Sequence, residues 1–323
     1  MTSLRDAPAL VADIGGTNTR VALADGPVLR AGSVEKYRNA DYSSLDSVLR
    51  SYLEKMEVAG CSGACVALAG PVRNGIGHLT NLDWRMDEDL LSEATGAPVV
   101  ALLNDLQAQG FALGHLEAAC LRPVISRPPP AAQETRLMIG LGTGFNAASV
   151  LYTPAGRIVT PSEAGHANLP VRTEQELRLC RFVETAHGFP AVEDVLSGRG
   201  LERVYNFLSP TPDQPQRLSA AEVMAAAARE ERQALDALEL FIGLLGTVAG
   251  NLSLIHLPFG GVYLCGGVAR HIGPYLGSMG FAEAFANKGR FADFMRDFPV
   301  WLVEDDFAAL TGCASFLDER CRN

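Results

Sequence analysis

The segment that decides the fold is Val11–Arg20, which reads VADIGGTNTR. An apolar run ends in the carboxylate Asp13 and the adjacent glycines Gly15 and Gly16, and a second β-prone run follows. Glycine allows a tight turn that brings backbone N–H groups close to an anion, and such a concavity binds phosphate. Because Asp13 would repel phosphate directly, we expect a cation between them. The segment predicts a phosphate-binding β-hairpin with a metal-facing acid, although an ordinary hairpin turn has the same glycine pair.

Two better-known phosphate-binding loops do not fit this segment. A P-loop requires the pattern G-x-x-x-x-G-K-[ST], and no lysine follows the glycines here. A dinucleotide-binding fingerprint requires spaced glycines that lead into a helix, whereas the residues after Gly16 favour a strand. The residues Arg20–Ala24 therefore predict the second strand of a hairpin.

The composition predicts a globular protein with neither nucleic-acid nor membrane partners. The 323 residues are 48% hydrophobic and 20% charged, which suits one large domain or two medium ones. The formal net charge is −10, and lysine occurs only at Lys36, Lys55 and Lys288. Nucleic acid and anionic membranes require a basic face, and no uninterrupted apolar stretch is long enough to span a bilayer.

The cysteines favour a reducing compartment. No two of them form a C-x-x-C pair, and most lie in apolar surroundings, so we expect reduced core residues, no zinc site and a cytoplasmic location. Residues 1–10 lack the charged start and long apolar stretch of a secretory signal. The seven cysteines are Cys61, Cys65, Cys120, Cys180, Cys265, Cys313 and Cys321.

The two halves of the chain have similar beginnings. Apolar and β-prone runs predict strands near 8–13, 19–25, 28–36, 63–69 and 98–103, and helical spacing predicts helices near 43–58 and 86–96. A second set of strands is predicted near 136–141, 146–152 and 157–161, before mainly helical residues 172–256, with a buried helix over 230–256. Strands near 262–265 and 299–303 and a helix near 307–318 complete the chain. Because both halves begin with strands around a glycine turn, we expect two similar lobes around a cleft.

Two more glycine clusters follow apolar runs. Gly140–Gly144 reads GLGTG between two β-prone segments, and Thr143 supplies a hydroxyl beside several backbone N–H groups. Gly266 and Gly267 end the apolar run Val262–Cys265 and allow a base or ribose to approach the backbone. The alternative for Gly140–Gly144 is a tight hairpin without a ligand. The alternative for Gly266 and Gly267 is an ordinary junction between a strand and a helix. Two phosphate turns in one chain would suit the two ends of one polyphosphate.

Polar residues stand at the ends of several predicted elements. Asn104 and Asp105 follow the run Pro98–Leu103, and ligands in α/β sheets lie beyond the carboxyl ends of strands. Asp105 is placed to act as a general base, or merely to cap the helix that starts near Leu106. Glu163 and His166 lie in a turn of small residues, where either side chain could bind a polyol or be structural. Glu193 is compatible with a surface acid or a capping acid.

These segments together resemble the bacterial glucokinase family of the hexokinase/actin-like ATPase superfamily. The resemblance covers nearly the whole chain, from about residue 8 to the closing helix. The related repressor/ORF/kinase group carries a cysteine-rich zinc cluster that this sequence lacks. The motifs that carry the resemblance are DIGGTNTR, ALAGPV, TNLDW, LLND, GLGTG, SEAGH, VEDVLSGRGL and GGVYLCGG.

The resemblance implies an α/β protein with the two-lobed actin-like ATPase (ribonuclease H-like) fold and an interdomain cleft. A small α/β lobe would comprise residues 1–110 and 306–323, and a large α/β lobe with helical insertions would comprise residues 111–305. The implied activity is ATP-dependent phosphorylation of glucose, or a related hexose, at the 6-hydroxyl. ATP and Mg²⁺ are the implied phosphoryl donor and cofactor, and the implied assembly is a homodimer.

The resemblance also implies roles for individual residues. Asp105 would be the base that takes the proton of the sugar 6-hydroxyl, and Asp13 would face Mg²⁺ through water. The sugar would be held by Asn104, Asp105, Glu163, His166 and Glu193. The ATP phosphates would be held by Asp13, Gly15, Gly16, Thr17, Asn18, Gly142, Thr143 and Gly144, and the adenosine by Gly266 and Gly267.

The sequence departs from the family pattern in two turns. The family's second phosphate turn usually continues Gly-Thr-Gly-Leu-Gly, whereas here Phe145 and Asn146 follow Gly144. Asn146 adds a side chain where close backbone approach is expected, although asparagine tolerates positive φ better than most residues. The sugar turn usually reads Glu-Gly-Gly-His, and Ala164 replaces one of its glycines.

Three other functions are compatible with the same motifs. The first is the same chemistry on another hexose or with another donor, such as polyphosphate. The second is a non-catalytic sugar-binding regulator on a kinase scaffold, which the presence of Asp105 disfavours. The third is an actin-like or chaperone-type ATPase, which would hydrolyse ATP without any dependence on sugar.

Overall fold

The structure is a computed structural model that describes residues 7–79, 82–127, 133–209 and 218–322, without the side chains of residues 186 and 187. The first two residues of the TNLDW motif lie outside these ranges. The chain divides into two compact units: one takes in the described parts of 1–118, 153–161 and 305–323, and the other those of 119–152 and 162–304. The lobe boundaries given above stay a prediction. They assign residues 153–161 to the large lobe, whereas these residues belong to the first unit.

The described strands are the following. They are β1 (Ala9–Ile14), β2 (Asn18–Asp25), β3 (Val28–Leu29), β4 (Glu35–Arg38), β5 (Ala64–Leu68), β6 (Val72–Arg73), β7 (Ile76–Leu79), β8 (Leu82–Asp87), β9 (Val100–Asn104), β10 (Leu121–Ile125), β11 (Arg136–Leu141), β12 (Phe145–Thr153), β13 (Gly156–Thr160), β14 (Val262–Cys265) and β15 (Val300–Val303).

The described α-helices alternate with these strands in the first unit and dominate the second. They are α1 (Leu45–Lys55), α2 (Glu88–Thr95), α3 (Asp105–Ala112), α4 (Glu174–His187), α5 (Val192–Val195), α6 (Gly198–Phe207), α7 (Ala220–Ala228), α8 (Arg232–His256), α9 (Gly267–Ile272), α10 (Phe281–Ala286) and α11 (Ala308–Arg322).

The first unit is built on a sheet in which β3, β2, β1, β5 and β9 lie in that order and β4 also pairs with β2. β1 is antiparallel to β2 and parallel to β5, and β5 is parallel to β9. Leu10, Ala12 and Ile14 pack with α1 and α2 in one buried cluster. Because side chains alternate along a strand, Asp13 points to the opposite face of the sheet. The predicted hairpin around the first glycine turn is confirmed.

Residues 153–161, which include β13, are bound to the rest of the first unit by hydrogen bonds and an ion pair. The Arg157 side chain is buried, donates to Phe111 O at 2.8 Å and forms an ion pair with Glu319 at 2.5 Å. Gln107 of α3 donates to Val159 O at 2.9 Å. These bonds join β13 to α3 and α11, which explains why this segment belongs with the N-terminal part of the chain.

The single strand predicted over residues 28–36 is wrong. This segment forms the two short strands β3 and β4, with a turn between them. In that turn Ser33 N donates to Arg30 O at 3.1 Å, and the buried hydroxyl of Tyr52 donates to Ser33 O at 2.7 Å. The backbone groups of the turn therefore bond within the turn and to α1, which interrupts the strand.

The helix predicted over residues 86–96 begins later, at Glu88. Asp87 is still part of β8, and its side chain caps α2 by accepting a hydrogen bond from Leu90 N at 2.9 Å. The strands β6, β7 and β8 form a separate three-stranded antiparallel sheet that was not predicted.

The second unit contains the strand order β10, β15, β14, β11, β12. β14 is parallel to both β11 and β15, and β12 is antiparallel to β11. Leu137, Ile139 and Leu264 of the sheet pack with Phe241 of α8 in one buried cluster. The predicted strands near 136–141, 146–152, 262–265 and 299–303 are confirmed.

The long helix α8 confirms the predicted buried helix over residues 230–256. Among the described residues it is the one helix with the length and hydropathy of a membrane span. However, 61% of its most apolar window is buried inside the protein. A core helix of a globular unit has the same length and hydropathy, and α8 is the core helix of the second unit.

The close packing of α3 on α11 depends on Gly312, which yields a stability prediction. A Cβ atom at Gly312 would lie 1.6 Å from the backbone oxygen of Ala108 in α3. We expect Gly312→Ala to lower the free energy of unfolding by about 2 kcal/mol or more, because the two helices must separate. Denaturant unfolding monitored by circular dichroism measures the change.

Gly243→Ala in α8 is the matched control for this substitution. Apart from Gly243 itself, its chain neighbours and the backbone of α8 around it, no heavy atom of the described residues lies within 4 Å of a Cβ placed at Gly243. The alanine should therefore stabilise the helix by up to about 1 kcal/mol. Equal effects of the two substitutions would contradict the assignment of a packing role to Gly312.

Candidate active site

The first glycine turn joins β1 to β2. Gly15 N donates to Asn18 O at 2.9 Å and closes the turn, and Gly16 and Thr17 are exposed at its tip. The turn is short and antiparallel, with Asp13 paired to Arg20 across the two strands.

A buried asparagine, which the sequence analysis missed, fixes the shape of this turn. Asn39 is only 3% exposed, and its Nδ2 donates to Gly15 O at 2.8 Å. Its backbone N–H donates to Thr17 O at 2.9 Å, and its Oδ1 accepts from the Thr19 hydroxyl at 2.8 Å. The carbonyl oxygens of Gly15 and Thr17, which would repel a phosphate, are thus directed toward Asn39. No spacing or motif marks Asn39, because its partners lie about twenty residues earlier in the chain.

Asp13 and Asp105 lie at the same edge of the sheet in the first unit. β1, β5 and β9 are parallel, with Asp13 beside Ala67 and Asn104 beside Leu68 in the strand register. The carboxyl ends of these strands therefore meet at one edge, as the sequence analysis expected for Asp105.

The two carboxylates influence each other electrostatically. Burial, and after it the negative charge of Asp13, raises the pKa of Asp105 to about 6. Burial also raises the pKa of Asp13, and the neighbouring Arg20, whose Nη1 lies 3.5 Å from Asp13 Oδ2, acts in the opposite direction. A carboxylate whose pKa is near 6 is well matched to proton transfer close to neutral pH.

The cap of α3 is Asn104, and Asp105 is the first residue of the helix. Asn104 Oδ1 accepts from Leu106 N at 3.0 Å, and Asn104 Nδ2 donates to Gly70 O at 3.0 Å. Asp105 Oδ1 accepts from the same N–H at 2.8 Å. Asp105 thus adds to the N-terminal hydrogen bonding without holding the cap position. The Asn104 amide carries a second N–H, which is a donor suited to a sugar hydroxyl.

In the second unit, Glu193 lies directly against the second glycine turn. Gly142 N donates to Gly144 O at 2.9 Å and closes the turn between β11 and β12. Glu193 Oε2 accepts from Phe145 N, the next residue along, at 2.9 Å. A proposed phosphate-binding turn and a proposed sugar ligand are therefore neighbours.

Glu163 and His166 occupy a turn that is joined to the backbone beside Glu193. Val192 N donates to Ala167 O at 2.9 Å, which brings α5 against this turn. The Glu163 and His166 side chains are 68% and 69% exposed, and His166 Nδ1 lies 3.8 Å from Glu163 Oε2. Two polar groups are thus accessible to a ligand next to Glu193.

The third glycine pair adjoins the second turn. β14 is parallel to β11, with Cys265 beside Gly140 in the register. Gly266 has φ +98°, and a Cβ atom there would lie 2.4 Å from Leu141 O, so only glycine fits this approach. Gly267 begins α9.

The predicted site residues therefore form two groups, one in each unit. The first unit brings together Asp13, Gly15, Gly16, Thr17, Asn18, Asn104 and Asp105. The second unit brings together Gly142, Thr143, Gly144, Glu163, His166, Glu193, Gly266 and Gly267. Their individual roles stay predictions.

The fold and the arrangement of glycine turns define the class of protein. The chain has the actin-like ATPase fold that sugar kinases share. A structure of a glucokinase from an Antarctic psychrotroph is 30% identical, with a TM-score of 0.87 over 96% of this chain and 98% of that one. A more distant likeness of fold is a Streptomyces griseus glucokinase of the ROK family, solved with glucose and AMPPNP, at 18% identity and a TM-score of 0.64 over 96% and 98% of the chains.

Sequence similarity gives the family. The profile described as Glucokinase matches residues 10–320. A glucokinase of Neisseria meningitidis is 32% identical over 322 residues, which cover 98% of this chain and 96% of that protein. The chain belongs to the glucokinase family.

The hydrogen bonds of Asn39 lead to a prediction for the first glycine turn. Asn39→Ala leaves Gly15 O and the Thr19 hydroxyl without this partner, so we expect the free energy of unfolding to fall by about 1–3 kcal/mol. Because the turn also loses its shape, the KM for ATP should rise more than the KM for sugar. Denaturant unfolding and steady-state kinetics measure the two effects, and an unchanged KM for ATP would show that Asn39 serves stability alone.

Proposed function

We propose that this protein transfers the γ-phosphoryl group of ATP to the 6-hydroxyl of glucose, giving glucose 6-phosphate and ADP. The observation that carries this proposal is the partly buried carboxylate of Asp105, with its raised pKa, at the strand edge that also carries the first glycine turn. Membership of the glucokinase family supports the choice of substrate.

Asp105 is the general base in this proposal. As the O6–phosphorus bond forms and the bond from the γ-phosphorus to the departing ADP oxygen breaks, the O6 proton passes to the Asp105 carboxylate. The pKa of about 6 leaves Asp105 mostly ionised at neutral pH and still basic enough to accept a proton. Phosphoryl transfer depends mainly on positioning and charge stabilisation, and a carboxylate that orients the acceptor hydroxyl contributes to both.

The other sugar hydroxyls are held by Asn104, Glu163, His166 and Glu193. A sugar hydroxyl both donates and accepts hydrogen bonds, and this set of carboxylates, an amide and an imidazole offers both kinds of partner. A site that bonds each hydroxyl discriminates strongly against analogues that lack one, because its polar groups would be left unpaired.

The nucleotide is held by the three glycine segments. The turns at residues 13–18 and 142–144 hold the phosphates, and Gly266 and Gly267 adjoin the adenosine. Mg²⁺ bound with ATP would neutralise phosphate charge, and Asp13 would face it through water. The carboxylates Asp13 and Asp105 at one sheet edge are oxygen ligands of the kind that Mg²⁺ prefers, so these residues fit a bound magnesium ion.

Exclusion of water from the bound phosphoryl group would favour transfer to the sugar, because water is a competing acceptor. We also propose, from the resemblance, that the protein acts as a homodimer in the cytoplasm. Neither point alters the chemistry assigned to Asp105.

Sugar-dependent ADP release tests the proposed function. A coupled assay with ATP and Mg²⁺ should show ADP release with glucose and little release without sugar. The same assay with other hexoses, and turnover with polyphosphate in place of ATP, measures the preference for sugar and for donor. Equal ADP release without sugar would indicate an ATPase, and glucose binding without turnover would indicate a regulator. Preference for another hexose or donor would refute the assignment to glucose and ATP.

The raised pKa of Asp105 predicts the acid limb of the pH profile. A general base must be ionised, so kcat/KM for glucose should fall about tenfold per pH unit below about pH 6. Circular dichroism at each pH controls for unfolding. An acid limb near pH 4, the ordinary range of an aspartate, would contradict the assignment of this pKa to the base.

A further inference from the structure

Asn146, where the family usually has glycine, uses its side chain outside the second glycine turn. It is the second residue of β12, directly after Phe145. Its Oδ1 accepts three hydrogen bonds: from Ala147 N at 2.8 Å, from Ala164 N at 3.0 Å and from the Ser162 hydroxyl at 3.0 Å. Its Nδ2 donates to Ser162 O. The expectation that this side chain intrudes where the phosphate turn approaches its ligand is wrong, because the amide bonds to the loop 162–164.

These bonds hold the residues on both sides of Glu163. Ser162 bonds to Asn146 through both its hydroxyl and its carbonyl oxygen, and Ala164 bonds through its N–H. The Glu163 side chain itself is 68% exposed. The backbone of Glu163 is therefore fixed at either end, while its carboxylate stays accessible to a ligand.

The same loop packs closely on the start of β12. A Cβ atom at Gly165 would lie 2.1 Å from Phe145 O, so the loop backbone is in direct contact with this strand. Ala147 O lies 2.7 Å from the Ser162 hydroxyl oxygen, so the single hydroxyl proton is shared between Ala147 O and Asn146 Oδ1. Asn146 lies at the centre of this contact, and its side chain and that of Ser162 link the loop to the strand.

We propose that Asn146 is a positioning residue that holds the loop 162–166 in the shape in which Glu163 binds the sugar. This inference rests on the proposed function of the site. A loop that is already ordered binds its ligand without first losing conformational entropy, so removal of the Asn146 amide should weaken sugar binding. Nucleotide binding should change little, since the Asn146 amide bonds to the loop 162–166 and to Ala147.

Asn146→Ala tests this inference. We expect the Kd for glucose, measured by calorimetry without nucleotide, to rise about tenfold, which corresponds to about 1.4 kcal/mol. The Kd for AMPPNP, measured without sugar, should stay within about twofold. In steady-state assays the KM for glucose should rise more than kcat falls. A purely structural role for Asn146 would not separate the sugar from the nucleotide in this way.

Asn251→Ala is the matched control. Asn251 is exposed on α8, and its Oδ1 accepts a hydrogen bond from Lys288 at 2.8 Å. This substitution removes an asparagine side chain and its hydrogen bond elsewhere in the same unit. Glucose affinity should not change.

Ser162→Ala provides a second, independent perturbation of the same contact. It removes the hydroxyl that bonds to Asn146 and Ala147 but leaves the Asn146 amide in place. Ser162→Ala should also weaken glucose binding, and its effect should not add to that of Asn146→Ala, because both act through one loop. If Asn146→Ala fails to fold, Ser162→Ala alone carries the test.

Two outcomes would overturn the inference. One is an unchanged glucose affinity in folded Asn146→Ala, or in Ser162→Ala if the first variant does not fold. The other is equal weakening of glucose and AMPPNP binding. A wild-type protein without glucose-dependent turnover would instead refute the proposed function, so the two failures are distinguishable.

Discussion

Asp13 and Asp105 are two carboxylates at one edge of a sheet, where burial disfavours the charge of both. Parallel pairing of β1, β5 and β9 brings them to the same edge, and the charge of Asp13 adds to burial in raising the pKa of Asp105. Both effects disappear if the strands are separated. The positions of the proposed base and of the proposed metal-facing acid are therefore consequences of one sheet topology.

Two asparagine side chains fix backbone segments at the candidate site. Asn39 bonds the first glycine turn through its amide and its backbone, and Asn146 bonds the loop that carries Glu163. Glycine turns and small-residue loops have much conformational freedom in the unfolded chain. An amide group from elsewhere in the chain can supply both donors and acceptors to such backbone and so restrict it.

The fold was largely predictable because its main elements have strong local patterns. The apolar run before Gly15, the long apolar helix α8 and the strand Val262–Cys265 are each defined by neighbouring residues. The split of residues 28–36 was not predicted, since it depends on hydrogen bonds between distant residues, such as that between Tyr52 and Ser33. The small sheet of β6, β7 and β8 was not predicted either. Similarly, motifs indicated Asp105 and Glu163, but the partners of Asn39 and Asn146 lie too far along the chain for any spacing to reveal them.

The central claim, that Asp105 takes the proton of the sugar hydroxyl, is tested most directly by Asp105→Asn, with the exposed Asp89→Asn in α2 as control. The amide keeps the shape of the side chain but cannot accept that proton. Turnover should fall by about 10²–10⁴-fold, while the Kd for glucose stays within about tenfold, or about 1.4 kcal/mol, and Asp89→Asn leaves both unchanged. Near-normal turnover in Asp105→Asn would contradict the account.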